Sequence, residues 1–313
     1  MNKASTPYSE IINDSTVTNR QKFKKIISEI KALIKIGIVN SNLMTTFTGL
    51  WLAIYFTGTT LSSNWDVILL TLIGSGLVIA GGCIINNWFD VDIDPKMTRT
   101  KSRPTVTGFF SSKSVLTMGI LTTTIGIILL LFTTVAATVT AFFGWFVYVV
   151  LYTIWSKRKT TLNTIVGSFS GAVPPLIGWL AISPEYHLVP TMMFLIMFIW
   201  QTPHFLSLAM KKVEDYRAAD VPMLPVVHGF EMTKRQIVIY IACLLPLPFF
   251  LASLGTIFIA IATLLNIAWL IIGIKGFYMK DDLKWANLIF IFSLNYLTII
   301  FLLMIVVTLP IFN

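Results

Sequence analysis

Asn86, Asp90 and Asp94 recur at four-residue spacing where an apolar run that begins near Val67 ends, so on a helix they project from nearly one face. Ionised groups at the edge of a membrane-length apolar stretch are rare without a partner or a task. Carboxylates stacked at this spacing repel one another and therefore call for a cation. Hard oxygen donors suit Mg²⁺, which is usually held by one or two carboxylates together with substrate phosphates and water. Asp92 falls away from the stripe. Lys96, Arg99, Lys101 and Arg103 follow at once, and guanidinium forks match phosphate oxygens. Acid stripe and basic loop together read as a metal-diphosphate site at a membrane surface. The plainer reading is a solvated loop whose acids balance its bases on the positive side of a membrane.

A second polar constellation starts inside another apolar run, at Trp200-Gln201-Thr202-Pro203-His204-Phe205. Gln201 and His204 there call for partners other than lipid. Three roles are open to His204: general base, axial ligand to an iron, or core histidine bonded to Gln201. Farther on, Lys212, Asp215, Tyr216 and Asp220 fit one side of a continuing helix that Pro222 would stop. Asp215 and Asp220 suit a second metal or water-mediated contacts, while Lys211, Lys212 and Arg217 suit the far side of a diphosphate. A salt-bridged surface helix explains the same charges without chemistry. Asn42 and Asn163 are further candidates for a cavity wall, and Pro174-Pro175 marks a bend.

The elements that must position these groups are membrane helices. Of 313 residues 56% are hydrophobic and 12% charged, and mean hydropathy is +0.80, which excludes an ordinary soluble domain. The net charge of +9 does not indicate nucleic acid, because the basic residues punctuate apolar runs rather than forming a patch. Cys83 and Cys243 lie apart in apolar stretches and indicate no disulfide framework.

Nine spans are expected, at 36–56, 67–86, 114–132, 134–155, 162–182, 188–208, 236–254, 256–275 and 286–310. With the N-terminus cytoplasmic, this count puts all 23 Lys and Arg residues at or near the cytoplasmic surface. Asn313 then lies outside, and the two long loops, 87–113 and 209–235, lie inside with the candidate site. Residues 1–22 are expected to be a disordered cytoplasmic segment, without the apolar core of a cleavable signal. Residues 23–35 are expected to be an interfacial amphipathic helix, and 36–313 a single transmembrane domain. The fold class is thus an all-α integral membrane protein, a nine-helix bundle around a central cavity opening near the cytoplasmic face.

From the residues alone, the reaction is loss of diphosphate from an allylic carbon of a lipid-linked donor, with cations steadying the departing charge and apolar walls excluding water.

The sequence resembles the UbiA-type membrane prenyltransferases over nearly the whole chain from about Ile30. Asn86-x-x-x-Asp90-x-x-x-Asp94 is similar to that superfamily's first aspartate-rich motif. Three further stretches resemble its haem branch, the protohaem IX farnesyltransferases or haem O synthases. These are Asp94 to Thr100 with Arg103-Pro104, Trp200 to Phe205, and Asp215 to Ala219 followed by Val221 to Val226.

The resemblance implies a Mg²⁺-dependent enzyme of a bacterial plasma membrane. Its donor would be farnesyl diphosphate and its acceptor a vinyl group of protohaem IX (haem B), a substrate rather than a resident cofactor. Water adds and haem O and diphosphate leave, with haem A synthase or terminal oxidase assembly as downstream partners. It also implies that the metal and diphosphate are held by Asn86, Asp90, Asp94, Arg99 and Arg103. Ala219, four residues after Asp215, departs from the second Asp-x-x-x-Asp of the wider superfamily, and Asp220 stands where the haem branch has Gly. A quinone-pathway prenyltransferase and a transporter remain the rival readings.

Overall fold

The structure, a computed structural model, describes residues 18–311; the expectations for residues 1–17 and for Asn313 lie outside them. Helix α1 spans Asn19–Leu33. Residues 19–22 are therefore helical rather than part of a disordered tail. The reason is a capping box: Thr18 Oγ1 accepts from Gln21 N, and the Gln21 side chain accepts from Thr18 N at 2.9 Å. Lys35, in the left-handed region at φ 54°, turns the chain into α2, Ile36–Thr57. Asn87 Nδ2 donates to Leu33 O at 2.8 Å, so the end of α1 is pinned beside the acid stripe.

Then come α3 (Trp65–Phe89), α4 (Ser112–Leu131) and α5 (Val135–Phe146), which continues as a π-helix over Val147–Trp155. The chain turns at residues 132–134, which separates the third and fourth expected spans. α6 (Asn163–Ala172) and α7 (Pro174–Ile182) form one bent span, broken at the double proline. α8 (Leu188–Lys211) leads into the short α9 (Val213–Ala218) and α10 (Leu224–Val227). α11 (Gly229–Cys243) with a 3₁₀ extension Leu247–Leu254, then α12 (Thr256–Lys275) and α13 (Asp282–Val306), complete the bundle.

Among the described residues, eight helical segments are long and apolar enough to cross a membrane. The 22-residue α2 is not among them, since Asn40, Asn42 and its threonines dilute its apolar character. It is nevertheless packed into the bundle. A Cβ on Gly49 would meet Pro175 O at 2.1 Å, and one on Gly178 would meet Thr46 O at 1.9 Å, so α2 and α7 touch backbone to backbone. α3 and α4 cross the same way through Gly81, Gly119 and Gly126. These close crossings fix the end of α3, where the candidate site lies.

Candidate active site

α3 ends at Phe89, so the stripe does not sit on one unbroken α-helix as its spacing predicts. Asp90 caps α3, and Asp94 opens a 3₁₀ turn, Asp94–Lys96. The four-residue hydrogen-bond step persists through the break, from Asp90 N to Asn86 O at 3.0 Å and from Asp94 N to Asp90 O at 2.9 Å. Asn86, Asp90 and Asp94 are all buried, whereas the Asp92 side chain is 59% exposed.

Each member of the stripe meets a cation or a polar partner from a different part of the chain. Lys35 Nζ donates to Asn86 Oδ1, and Asn86 Nδ2 donates to Thr153 Oγ1 at 3.0 Å. Lys157 Nζ donates to Asp90 Oδ2, with Arg158 Nη2 3.5 Å from Asp90 Oδ1. Arg103 Nη1 lies 2.7 Å from Asp94 Oδ2, while Asp94 Oδ1 is buried without a hydrogen-bond partner. Arg158 also grips Asp92 through both carboxylate oxygens, at 2.7 and 2.8 Å, and holds that carboxyl below the usual range. Burial, reinforced by the Arg103 charge, pulls the Lys35 ammonium down to about 7.

The two long loops meet over this stripe. Thr98 N donates to Asp215 Oδ1 at 3.0 Å, and Asp215 Oδ2 is buried without a partner. Tyr216 packs on a small core of Ile93, Met97, Ala209, Ala219, Val221 and Met223 that knits the loops together. Asn163 Nδ2 bridges Lys157 O at 3.5 Å and Pro222 O at 3.4 Å. The expected continuous helix through Asp220 is not formed. Lys212 interrupts it between α8 and α9, and after Ala218 the chain turns through Asp220 at φ 54°, before Pro222 is reached. Asp220 lies out in solvent, 3.4 Å from Lys96, rather than beside Asp215.

Other expected residues are placed elsewhere. Arg217 pairs with Glu214 on the surface at 2.5 Å, and Asn42 Nδ2 donates to Ile38 O of its own helix at 2.8 Å. Arg99 and Lys101 are exposed on the loop, with Arg99 close enough for its charge to act at Tyr152. Gln201 Nε2 donates to Ser168 O at 3.3 Å and to Met197 O at 3.2 Å, not to His204. His204 instead stacks between Trp200 and Phe290, with Nδ1 2.8 Å from Ser293 Oγ. These partners belong to α8 and α13, so His204 occupies that seam rather than the stripe.

The residues that the sequence did not single out for the site are Lys35, Thr153, Lys157 and Arg158. Lys157 and Arg158 carried a signal, a basic pair closing a span, but one that topology alone explains.

A family model described as the UbiA prenyltransferase family matches residues 42–309. The chain belongs to that family. Among similar UbiA relatives, a protein of Oceanobacillus iheyensis named protoheme IX farnesyltransferase is 67% identical over 100% of both chains. One of Bacillus subtilis, named protoheme IX farnesyltransferase 2, is 56% identical over 96% of this chain and 99% of its own. The UbiA fold is matched by a solved structure of digeranylgeranylglyceryl phosphate synthase, with a TM-score of 0.71 at 18% identity, covering 90% of this chain and 98% of that one. A UbiA homologue from Archaeoglobus fulgidus, bound to DMAPP and Mg²⁺, matches with a TM-score of 0.64 at 14% identity, covering 87% and 99%. The protein is accordingly an all-helical, multi-pass membrane prenyltransferase of the UbiA family.

Proposed function

We propose that the protein transfers the farnesyl group of farnesyl diphosphate to a vinyl group of protohaem IX, with addition of water, giving haem O and diphosphate. The observation that carries this is the whole-length, 67% identical relative named for that activity. The buried stripe of Asn86, Asp90 and Asp94 is in keeping with it. A quinone-pathway acceptor has no such support. Purified protein incubated with farnesyl diphosphate, Mg²⁺ and each candidate acceptor decides by product mass, and farnesylation of a phenolic or naphthoic acid but not of haem would overturn the assignment.

Among the described residues no three His, Cys, Asp or Glu side chains converge as a metal-binding group. Two buried carboxylates and an amide fit a metal that completes its shell with phosphate oxygens and water. The unpartnered, buried Asp94 Oδ1 is a donor in want of such a cation. Asp90, Asp94 and Asn86 would hold Mg²⁺, and the ion would neutralise charge developing on the leaving diphosphate. Arg103, Lys157 and Lys35 stand within reach of the same oxygens and bind the diphosphate; Arg99, Lys96 and Lys101 on the loop, with Lys212 at the helix break, draw it in. The C1–O bond breaks with its electron pair leaving on diphosphate. The vinyl alkene then supplies the pair for the new C–C bond, and water captures the resulting porphyrin-stabilised cation.

The nine-span topology, α2 included, is assigned with the N-terminus and both site loops cytoplasmic, so that the cavity opens there. It is supported by the one-sided placement of Lys and Arg. Single cysteines at Ser112 and Met232, both exposed, are expected to react with an impermeant thiol reagent from the cytoplasmic side of sealed vesicles, and one at Tyr186 from the other. Labelling of Met232 and Tyr186 positions from the same side would sink the arrangement. Haem A synthase or an oxidase assembly pathway would consume the product.

Gln201 and His204 are assigned to the acceptor side. Metal-ligating histidines characteristically have their second ring nitrogen held by a hydrogen bond, and Ser293 holds Nδ1 of His204, leaving Nε2 to ligate iron. His204→Ala is expected to weaken haem binding and shift its absorption spectrum, without changing farnesyl diphosphate binding in the absence of haem. An unaltered spectrum and affinity, with stability lowered by about 1–3 kcal/mol, would reduce His204 to a buried hydrogen-bonding group.

A further inference from the structure

His204 and Lys211 are seven residues apart on α8, so they stand on nearly the same face, about 10.5 Å apart along the axis. One ring of α13 joins them. Phe290 stacks on His204 with centroids 4.9 Å and planes 24° apart, and Lys211 Nζ lies 4.3 Å from the centroid of the same ring. Lys211 Nζ also donates to Asn287 Oδ1 at 2.7 Å. His204, Leu208 and Lys211 are all only half-buried, so this edge of the α8–α13 seam is open along its length.

What Lys211 lacks is an anion. A lysine at the end of a span ordinarily snorkels out to the membrane surface, yet Lys211 is turned back over a ring. Among the described residues its partners are that ring and an amide oxygen, and neither carries a charge. Lys212 beside it is a second cation rather than a counter-charge. The acids of the neighbouring segments are engaged elsewhere: Glu214 with Arg217, Asp215 with the Thr98 amide and Asp282 with Lys234. Asn287 and Phe290 hold the ammonium in place and leave it hydrogens to donate to a further acceptor.

We propose that Lys211 binds a propionate carboxylate of the protohaem acceptor and so fixes which edge of the macrocycle enters the bundle. The inference rests on the haem farnesylation proposed above. Protohaem carries its propionates on one edge and its vinyls on the opposite edge, with the iron between them. Two helix turns between His204 and Lys211 suit the reach from iron to a propionate oxygen. Iron at His204 Nε2 and a carboxylate at Lys211 place the propionates at the end of α8, beside the site loops and water. The vinyl edge is thereby turned inward, to the depth entered by the farnesyl chain of a donor whose diphosphate sits at Asn86, Asp90 and Asp94. Turning the macrocycle over exchanges the two vinyls and leaves the propionates on the same edge, so Lys211 sets the edge that enters and not which vinyl reacts.

Haem and its dimethyl ester differ in the charge of that edge, so their affinities isolate the contact. The full-length protein in detergent is titrated with each and followed by absorbance. The wild type is expected to bind haem about ten-fold more tightly than the ester, the scale of one charge-assisted hydrogen bond. Lys211→Gln is expected to bind the two alike, with its affinities for the ester and for metal-free pyrophosphate unchanged, and Lys211→Arg to keep part of the preference. Equal weakening of haem and ester in Lys211→Gln, or no preference in the wild type, overturns the proposal and makes Lys211 a packing residue of the seam. Weakened pyrophosphate binding with the haem preference intact overturns it in favour of the donor. Each of these results in a wild type that farnesylates haem leaves the prenyl-transfer reading standing, whereas a wild type that neither binds nor farnesylates haem overturns both.

Discussion

Asp90→Asn and Asp94→Asn are each expected to lower farnesyl transfer by at least about a hundred-fold, the scale at which a charge-stabilising group in the transition state is lost. Asp92→Asn is expected to cost only a few-fold. The difference follows from placement: Asp90 and Asp94 are buried on the stripe, while Asp92 is exposed and engaged by Arg158. Fold must be separated from chemistry, because Asp90→Asn strands the buried Lys157 ammonium and Asp94→Asn weakens the hold on Arg103. Asp90→Asn/Lys157→Met removes both charges, so it is expected to recover thermal stability and to stay inactive. Equal losses in all three single variants, at saturating Mg²⁺ and equal protein levels, would show that the stripe does not distinguish metal-binding from loop carboxylates.

What could be read from the sequence was what depends on local spacing. The stripe survives a helix end because the i to i+4 hydrogen bonds run on from Asn86 through Asp90 to Asp94, so the four-residue period outlasts the helix that suggested it. Eight spans were legible as apolar length, α2 not being apolar enough to count among them, and the bend at Pro174-Pro175 was legible as a missing donor. Position 220 shows where local reading stops. Its spacing from Asp215 suggested one helix face, but a left-handed turn at Asp220 sends the carboxylate to solvent. Residues brought in from remote segments carried still less signal. Lys35 reaches the site because Asn87 pins the end of α1, and Thr153 and Lys157 because a π-helix ending at Trp155 runs into a 3₁₀ turn, Ser156–Arg158. Neither a capping contact across 54 residues nor a change from π to 3₁₀ winding has a periodicity that marks it in a single apolar run.

Lys157→Met is expected to weaken binding of inorganic pyrophosphate, measured without divalent cation, by about ten- to hundred-fold, the worth of one charge-assisted hydrogen bond. Two roles predict different results. If Lys157 serves only to neutralise Asp90, its loss leaves a buried carboxylate with only Arg158 at 3.5 Å, stability falls by up to about 3–5 kcal/mol, and Asp90→Asn added to it restores both stability and pyrophosphate binding. If Lys157 also grips the diphosphate, the second substitution restores stability but not binding. Asp90→Asn alone, which removes a negative charge from the site and leaves Lys157 free, is then expected to bind metal-free pyrophosphate more tightly than the wild type. Lys157→Arg, which keeps the charge but carries it on a wider planar fork, is expected to retain part of the binding. The second role is the expected one, since Lys157 is buried against Asp90 on the face of α3 that Thr153 meets at Asn86, within the stripe rather than out in water. Wild-type pyrophosphate affinity in the Asp90→Asn/Lys157→Met protein would confine Lys157 to neutralising Asp90.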